Sequence, residues 1–115
     1  MALLEKLENI GCNTKEGLER CLNKEDFYIK LLKMSVSDNK IYDLEKCLNN
    51  NDLDNAFAIS HTLKGVYANL AITPLYNLLY TLTEELRKKE DKDYTNEIKD
   101  IINLFEKVKE IINNP

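Results

Sequence analysis

Ile59-Ser60-His61-Thr62-Leu63-Lys64-Gly65-Val66-Tyr67-Ala68-Asn69-Leu70 has the apolar spacing of a helix and holds the only histidine of the chain. At roughly 100° of turn per residue, Ile59, Leu63, Val66 and Leu70 fall on one narrow stripe, flanked by Ala56 and Tyr67. His61 points almost directly away from that stripe, and Phe57, Ala58, Lys64, Gly65 and Ala68 lie beside it on the outer face. Glycine inside a helix is less favourable than alanine by about 1 kcal/mol, so Gly65 calls for a reason. One turn from His61, it leaves the imidazole uncovered, as close approach by another molecule requires. Lys64, three residues on, brings a cation to the same ring. An open imidazole beside a cation suits a nucleophile that accepts a phosphoryl group.

The rest of the chain repeats the helical spacing. No strand-like alternation persists, and only three glycines and two prolines punctuate it. Leu3, Leu7 and Ile10 predict a short helix stopped by Gly11, and Thr14 is the expected N-cap of a second carrying Leu18, Cys21 and Leu22. A third is expected over residues 24–34 with Phe27, Leu31 and Met34 as its apolar row, followed by a turn at 35–39. Ile41, Leu44 and Leu48 mark a fourth. Asn49-Asn50-Asn51 breaks it, and Asp52 caps the helix that carries His61. Thr73-Pro74 reads as an N-cap followed by proline at the first helical position. Leu75, Leu78, Leu79, Leu82 and Leu86 then form an inward stripe. A last helix is expected over 93–113 on Ile98, Ile101, Phe105, Val108 and Ile112. Short breaks make successive long helices antiparallel neighbours. The expected fold is all-α: an antiparallel up-down four-helix bundle from the last four helices, with additional short N-terminal helices packed against or over one end. The 115 residues form a single domain.

Composition narrows the function classes. A net charge of −4 argues against a nucleic-acid binder, which carries a basic stripe. Arg87-Lys88-Lys89 is too short for one and reads as a solvated helix end between acidic residues. Cys12, Cys21 and Cys47 are odd in number and lack Cys-x-x-Cys spacing, which fits buried thiols in a reducing compartment better than zinc or a disulfide framework. With a single histidine there is no transition-metal set. No apolar run reaches membrane length, and charge arrives too early after Met1 for a signal peptide. A cytoplasmic monomer, off the membrane, is expected. There is no glycine-rich phosphate loop for ATP, so no autonomous kinase activity is expected.

The run Ser60-His61-Thr62-Leu63-Lys64-Gly65-Val66-Tyr67-Ala68-Asn69-Leu70-Ala71 resembles the histidine-containing phosphotransfer (HPt) domains. Their signature is His-x-x-Lys-Gly on a central helix of a bundle, within a run close to Ala-His-Thr-Leu-Lys-Gly-Ser-x-Ala-Asn-Leu-Gly. His61, Thr62, Leu63, Lys64, Gly65, Ala68, Asn69 and Leu70 match; Ser60, Val66 and Ala71 depart, and Tyr67 is bulky. The resemblance implies that His61 is the phospho-acceptor, attacking an aspartyl phosphate through Nε2 and later passing the group to another aspartate. Lys64 then stabilises phosphoryl charge and Gly65 gives steric access. The implied partners are receiver domains of a hybrid sensor kinase or of response regulators. No cofactor is bound by this chain; Mg²⁺ is expected on the partner receiver. Phe57, Ala58, Ala68 and Asn69 are candidate partner contacts, although an N-terminal helix covering Phe57, or a plain surface role for Asn69, fits equally well. Where the family often has a Glu or Gln that orients the histidine, this chain has Thr83, with a shorter reach. Tyr76 and Tyr80 read as packing at the rim. The alternatives are a receiver-binding protein that carries no phosphate and a structural helical adaptor.

Overall fold

The structure, a computed structural model, describes residues 2–115. Seven helices account for the regular structure of the described residues: α1 (Ala2–Asn9), α2 (Thr14–Arg20), α3 (Glu25–Ser37), α4 (Lys40–Asn49), α5 (Leu53–Asn69), α6 (Thr73–Arg87) and α7 (Thr95–Asn113). The fold class is all-α. Five helices stop in the same way, with an N–H reaching back five residues to a carbonyl: Cys12 to Leu7, Asn23 to Leu18, Asp52 to Cys47, Ile72 to Tyr67 and Glu90 to Glu85. The preceding residue takes a left-handed φ in each case, and only at Gly11 (φ +102°) is it glycine. Leu22, Asn51, Ala71 and Lys89 adopt that conformation with a side chain attached.

Starts and ends depart from expectation by small steps with local causes. Asn13, not Thr14, caps α2 by accepting the Glu16 N–H; Thr14 is the buried first residue, and its hydroxyl bonds to Glu8 instead. Asp52 caps α5 as read, accepting the Asn55 N–H. Thr73 opens α6 itself, with Ile72 at the N-cap. α3 runs on through the expected turn to Ser37, with the Ser35 and Ser37 hydroxyls turned back onto the Leu32 and Met34 carbonyls rather than capping a new turn. α7 begins at Thr95, whose N–H and hydroxyl both bond to Asp93.

α4 packs against α5 and α7, and α6 packs against the same two helices, so these four close a ring. Leu44, Ala56, Leu63, Leu79, Leu82, Ile101, Phe105 and Val108 are buried in the core they contribute to. Tyr42 meets the Phe105 ring edge-on at 5.9 Å, joining the start of α4 to the middle of α7. Lys89 reaches Asp54 at 3.9 Å, setting the end of α6 beside the start of α5. α1 and α3 both pack on α7. α3, at 13 residues, is longer than α4 and is not a short appendage.

The row Phe27, Leu31 and Met34 does not face inward. Phe27 is 47% and Met34 57% exposed, while Tyr28, Leu32 and Val36, one or two residues further along, are buried. Both rows have helical spacing, so periodicity alone does not choose between them. Tyr28 decides: its ring fits over Gly17 of α2 and its hydroxyl donates to the Leu70 carbonyl at 2.7 Å. A Cβ on Gly17 would overlap the Tyr28 hydroxyl and ring, and the hydrogen bond keeps the ring from retreating. Gly17→Ala is therefore expected to destabilise the protein by about 1–3 kcal/mol through overpacking, despite the better helix propensity of alanine. Urea unfolding of the two proteins checks this; equal midpoints would mean that the Tyr28 ring yields without loss.

The α6–α7 corner carries a second buried polar feature. Lys92 Nζ binds Glu85 Oε2 at 2.6 Å and Glu97 Oε1 at 3.2 Å. The remaining oxygens, Glu85 Oε1 and Glu97 Oε2, are buried without a donor among the described residues. A proton retained on one carboxyl satisfies the pair, and burial, with the Glu85 carboxylate next to it, pushes Glu97 up to about 7. The folded protein thus binds a proton between about pH 4.5 and 7 that the unfolded chain has released, so this group's stabilisation is lost as pH rises through that window. Glu97→Gln mimics the protonated form. It is expected to reduce the loss of melting temperature between about pH 5 and 8 and to melt above wild type at the alkaline end. Parallel pH profiles for the two proteins would contradict it.

Candidate functional site

α5 is rotated relative to the stripe drawn from its sequence. Ala56, Ser60, Leu63, Tyr67 and Leu70 are buried, while Ile59 and Val66 sit half-buried on the flank. The rotation carries Ser60 inside, where its hydroxyl pairs with that of Thr83 on α6 at 2.6 Å. Thr83 in turn donates to the Leu79 carbonyl at 2.6 Å. Thr83, whose reach is shorter than that of the family's Glu or Gln, is fully buried with its hydroxyl engaged by Ser60 and Leu79 rather than by His61.

The outward face consists of Ala58, His61, Thr62, Gly65 and Asn69, all exposed. Neither imidazole nitrogen of His61 hydrogen-bonds to another described residue. A Cβ built on Gly65 meets nothing within 4 Å, so the glycine borders open space and no helix packs on it. Lys64 is half-buried with its ammonium 5.5 Å from the centre of the Tyr80 ring. Tyr80, half exposed and 6.1 Å from Tyr76, sits under the Lys64 ammonium at the rim where the sequence puts it.

Phe57 is half-buried, and it is α6 rather than an N-terminal helix that covers it. The Arg87 guanidinium lies over its ring at 5.0 Å, and the ring is 5.8 Å from that of His61, tilted by 46°. Arg87 is held by Glu84 at 3.1 Å. Reading Arg87 as part of a solvated helix end missed this contact, because it joins helices and leaves no trace in local spacing. Asn69 accepts a hydrogen bond from Arg20 of α2 at 3.2 Å, and Arg20 is paired with Glu16 at 2.6 Å. Ala68 is half-buried and lines, with Glu16, Arg20, Tyr67, Ala71, Thr73 and Tyr76, a cleft of about 270 Å³ between α2, α5 and α6.

The structure therefore gathers Phe57, Ala58, His61, Lys64, Gly65, Ala68 and Asn69 along one side of α5, and brings Tyr80 and Arg87 to its edge from α6. Among the described residues no group of His, Cys, Asp and Glu is placed to hold a metal ion, and no helix is long and apolar enough to cross a membrane. The cysteines are free thiols; burial pushes Cys12 up to about 11, so it stays protonated at neutral pH. Comparison with protein-family models, curated proteins and solved structures returned no match.

Proposed function

We propose that this protein is an HPt-type phosphoryl carrier, relaying the group between receiver-domain aspartates through His61. In this reading α4–α7 form an antiparallel up-down four-helix bundle, and α1–α3 are additions to it. The observation that carries the proposal is the pairing of an exposed, unbonded His61 with Gly65 one turn away, where a side chain would occupy empty space rather than the core. Glycine there gives up about 1 kcal/mol of helix stability with no packing demand in return, which supports a need for access from outside. The Nε2 lone pair of neutral imidazole attacks phosphorus as the bond to the aspartyl oxygen breaks. The carboxylate leaves with the partner, whose Mg²⁺ balances its charge. Lys64, with its ammonium over Tyr80, supports the phosphoryl oxygens without forming a bond.

The partners in this reading are receivers of a hybrid sensor kinase or of response regulators, met in the cytoplasm by a monomer. One observation favours a receiver-binding adaptor without phosphate: Thr83 turns away from the imidazole. Incubation with a purified, phosphorylated receiver separates the readings. Transfer of label to this chain supports the carrier, binding without transfer supports the adaptor, and neither result removes both.

A further inference from the structure

We infer that Phe57 is the positioning residue for the His61 imidazole and that Arg87 fixes Phe57, an inference that rests on the phosphotransfer reading of His61. An exposed imidazole without a hydrogen bond is free to rotate, and attack on phosphorus needs one nitrogen aimed along one line. Thr83 does not supply that aim, since its hydroxyl is taken by Ser60 and Leu79. An aromatic ring does stand against it: Phe57, one turn earlier on α5, at a centroid distance of 5.8 Å and a tilt of 46°. That separation lies within the range in which aromatic pairs attract. Phe57 is itself restrained, because the Arg87 cation lies 5.0 Å from its centre, close enough for a cation–π contact. Glu84 holds Arg87 through Nε at 3.1 Å. The series Glu84, Arg87, Phe57, His61 thus anchors the nucleophile to α6 through packed faces.

A docking role and a positioning role for Phe57 predict different kinetics. A docking contact sets the receiver concentration needed for half-maximal transfer, whereas a positioning contact sets the maximal rate. Phe57→Leu is expected to lower the maximal transfer rate from a phosphorylated receiver by about tenfold or more, with the half-saturating concentration within about twofold of wild type. Phe57→Tyr keeps the ring and should transfer at close to the wild-type rate. Arg87→Gln should fall between them. Because the chain has one histidine, its imidazole proton resonances are unambiguous. In wild type they should be displaced from free-histidine positions by the Phe57 ring current, return towards those positions in Phe57→Leu, and move part of the way in Arg87→Gln. Wild-type resonances at free-histidine positions, or a raised half-saturating concentration at unchanged maximal rate in Phe57→Leu, would overturn the inference. If wild type accepts no phosphoryl group from any receiver, the phosphotransfer reading falls, and the positioning role with it. The resonance comparison then reports only whether the rings pack.

Discussion

His61→Gln is expected to abolish phosphoryl acceptance and to leave the melting temperature within a degree or two of wild type. His61 is exposed and has no hydrogen bond to another described residue, so the substitution strands no hydrogen-bond partner and gives up only the ring contact with Phe57. Surface changes of this kind shift stability by less than about 0.5 kcal/mol. Glutamine keeps a polar, helix-compatible side chain but has no nitrogen lone pair able to attack phosphorus. The chain carries no second histidine to take over. In wild type the label should be lost in acid and retained in base, as expected for phosphorus bonded to nitrogen. Label persisting on the variant would remove His61 from the mechanism, and the receiver-transfer assay with intact protein is the measurement that decides.

Gly65→Gln is expected to separate stability from activity, raising the first while destroying the second. The structure removes the competing explanation that Gly65 permits tight helix packing, since an added Cβ meets no atom within 4 Å. Gly65 lies inside α5 and is not among the residues with positive φ. A side chain there should gain about 0.4–1 kcal/mol by restricting the unfolded chain. The same side chain stands one turn from the imidazole, across the line along which an aspartyl phosphate must arrive. Transfer is expected to fall by about a hundredfold, as displacement of the reacting atoms by an ångström or more does. Thermal unfolding beside rapid-quench transfer checks both halves. Normal transfer would show that receivers approach from elsewhere; a marked loss of stability would contradict the open space at this position.

Helix identity was legible throughout because apolar spacing is a local property, and so were the breaks at Gly11 and Asn49–Asn51 and the Asp52 cap. Rotation about a helix axis was harder to read. On α5 the sequence places Ile59 and Val66 at the centre of the inward face, yet the buried face centres on Ser60, Leu63 and Tyr67. Ser60 is polar and scores as outward until Thr83 on another helix is known to meet it. On α3 the same ambiguity turns the face by about one residue, because Tyr28 and Phe27 both begin apolar rows and only the Gly17 slot distinguishes them. The exposed side of α5 survives the rotation, which is why His61, Gly65 and Ala58 stand where the sequence puts them. Tyr80 and Arg87 were not legible as neighbours of the candidate site, since their contacts with Lys64 and Phe57 span two helices. Ala71 is instructive: it stands where the motif usually has glycine, and its φ of +57° is the left-handed conformation glycine would relieve.

The Ser60–Thr83 pair bears on how the molecule meets anything that binds it. Both residues are fully buried, and their hydroxyls face each other across the α5–α6 interface. Sliding either helix by one turn, about 5.4 Å, would part them. Thr83 would keep its bond to the Leu79 carbonyl on its own helix, but the Ser60 hydroxyl left dry and without Thr83 would cost about 1–3 kcal/mol. Apolar side chains such as Leu63, Leu79 and Leu82 tolerate small slips, but two facing hydroxyls in an apolar seam do not. The pair therefore acts as a dowel between the helix that bears His61 and the helix that bears Tyr80 and Arg87. The relief of that face is set before any encounter, and the work of adjustment on contact falls to the visitor.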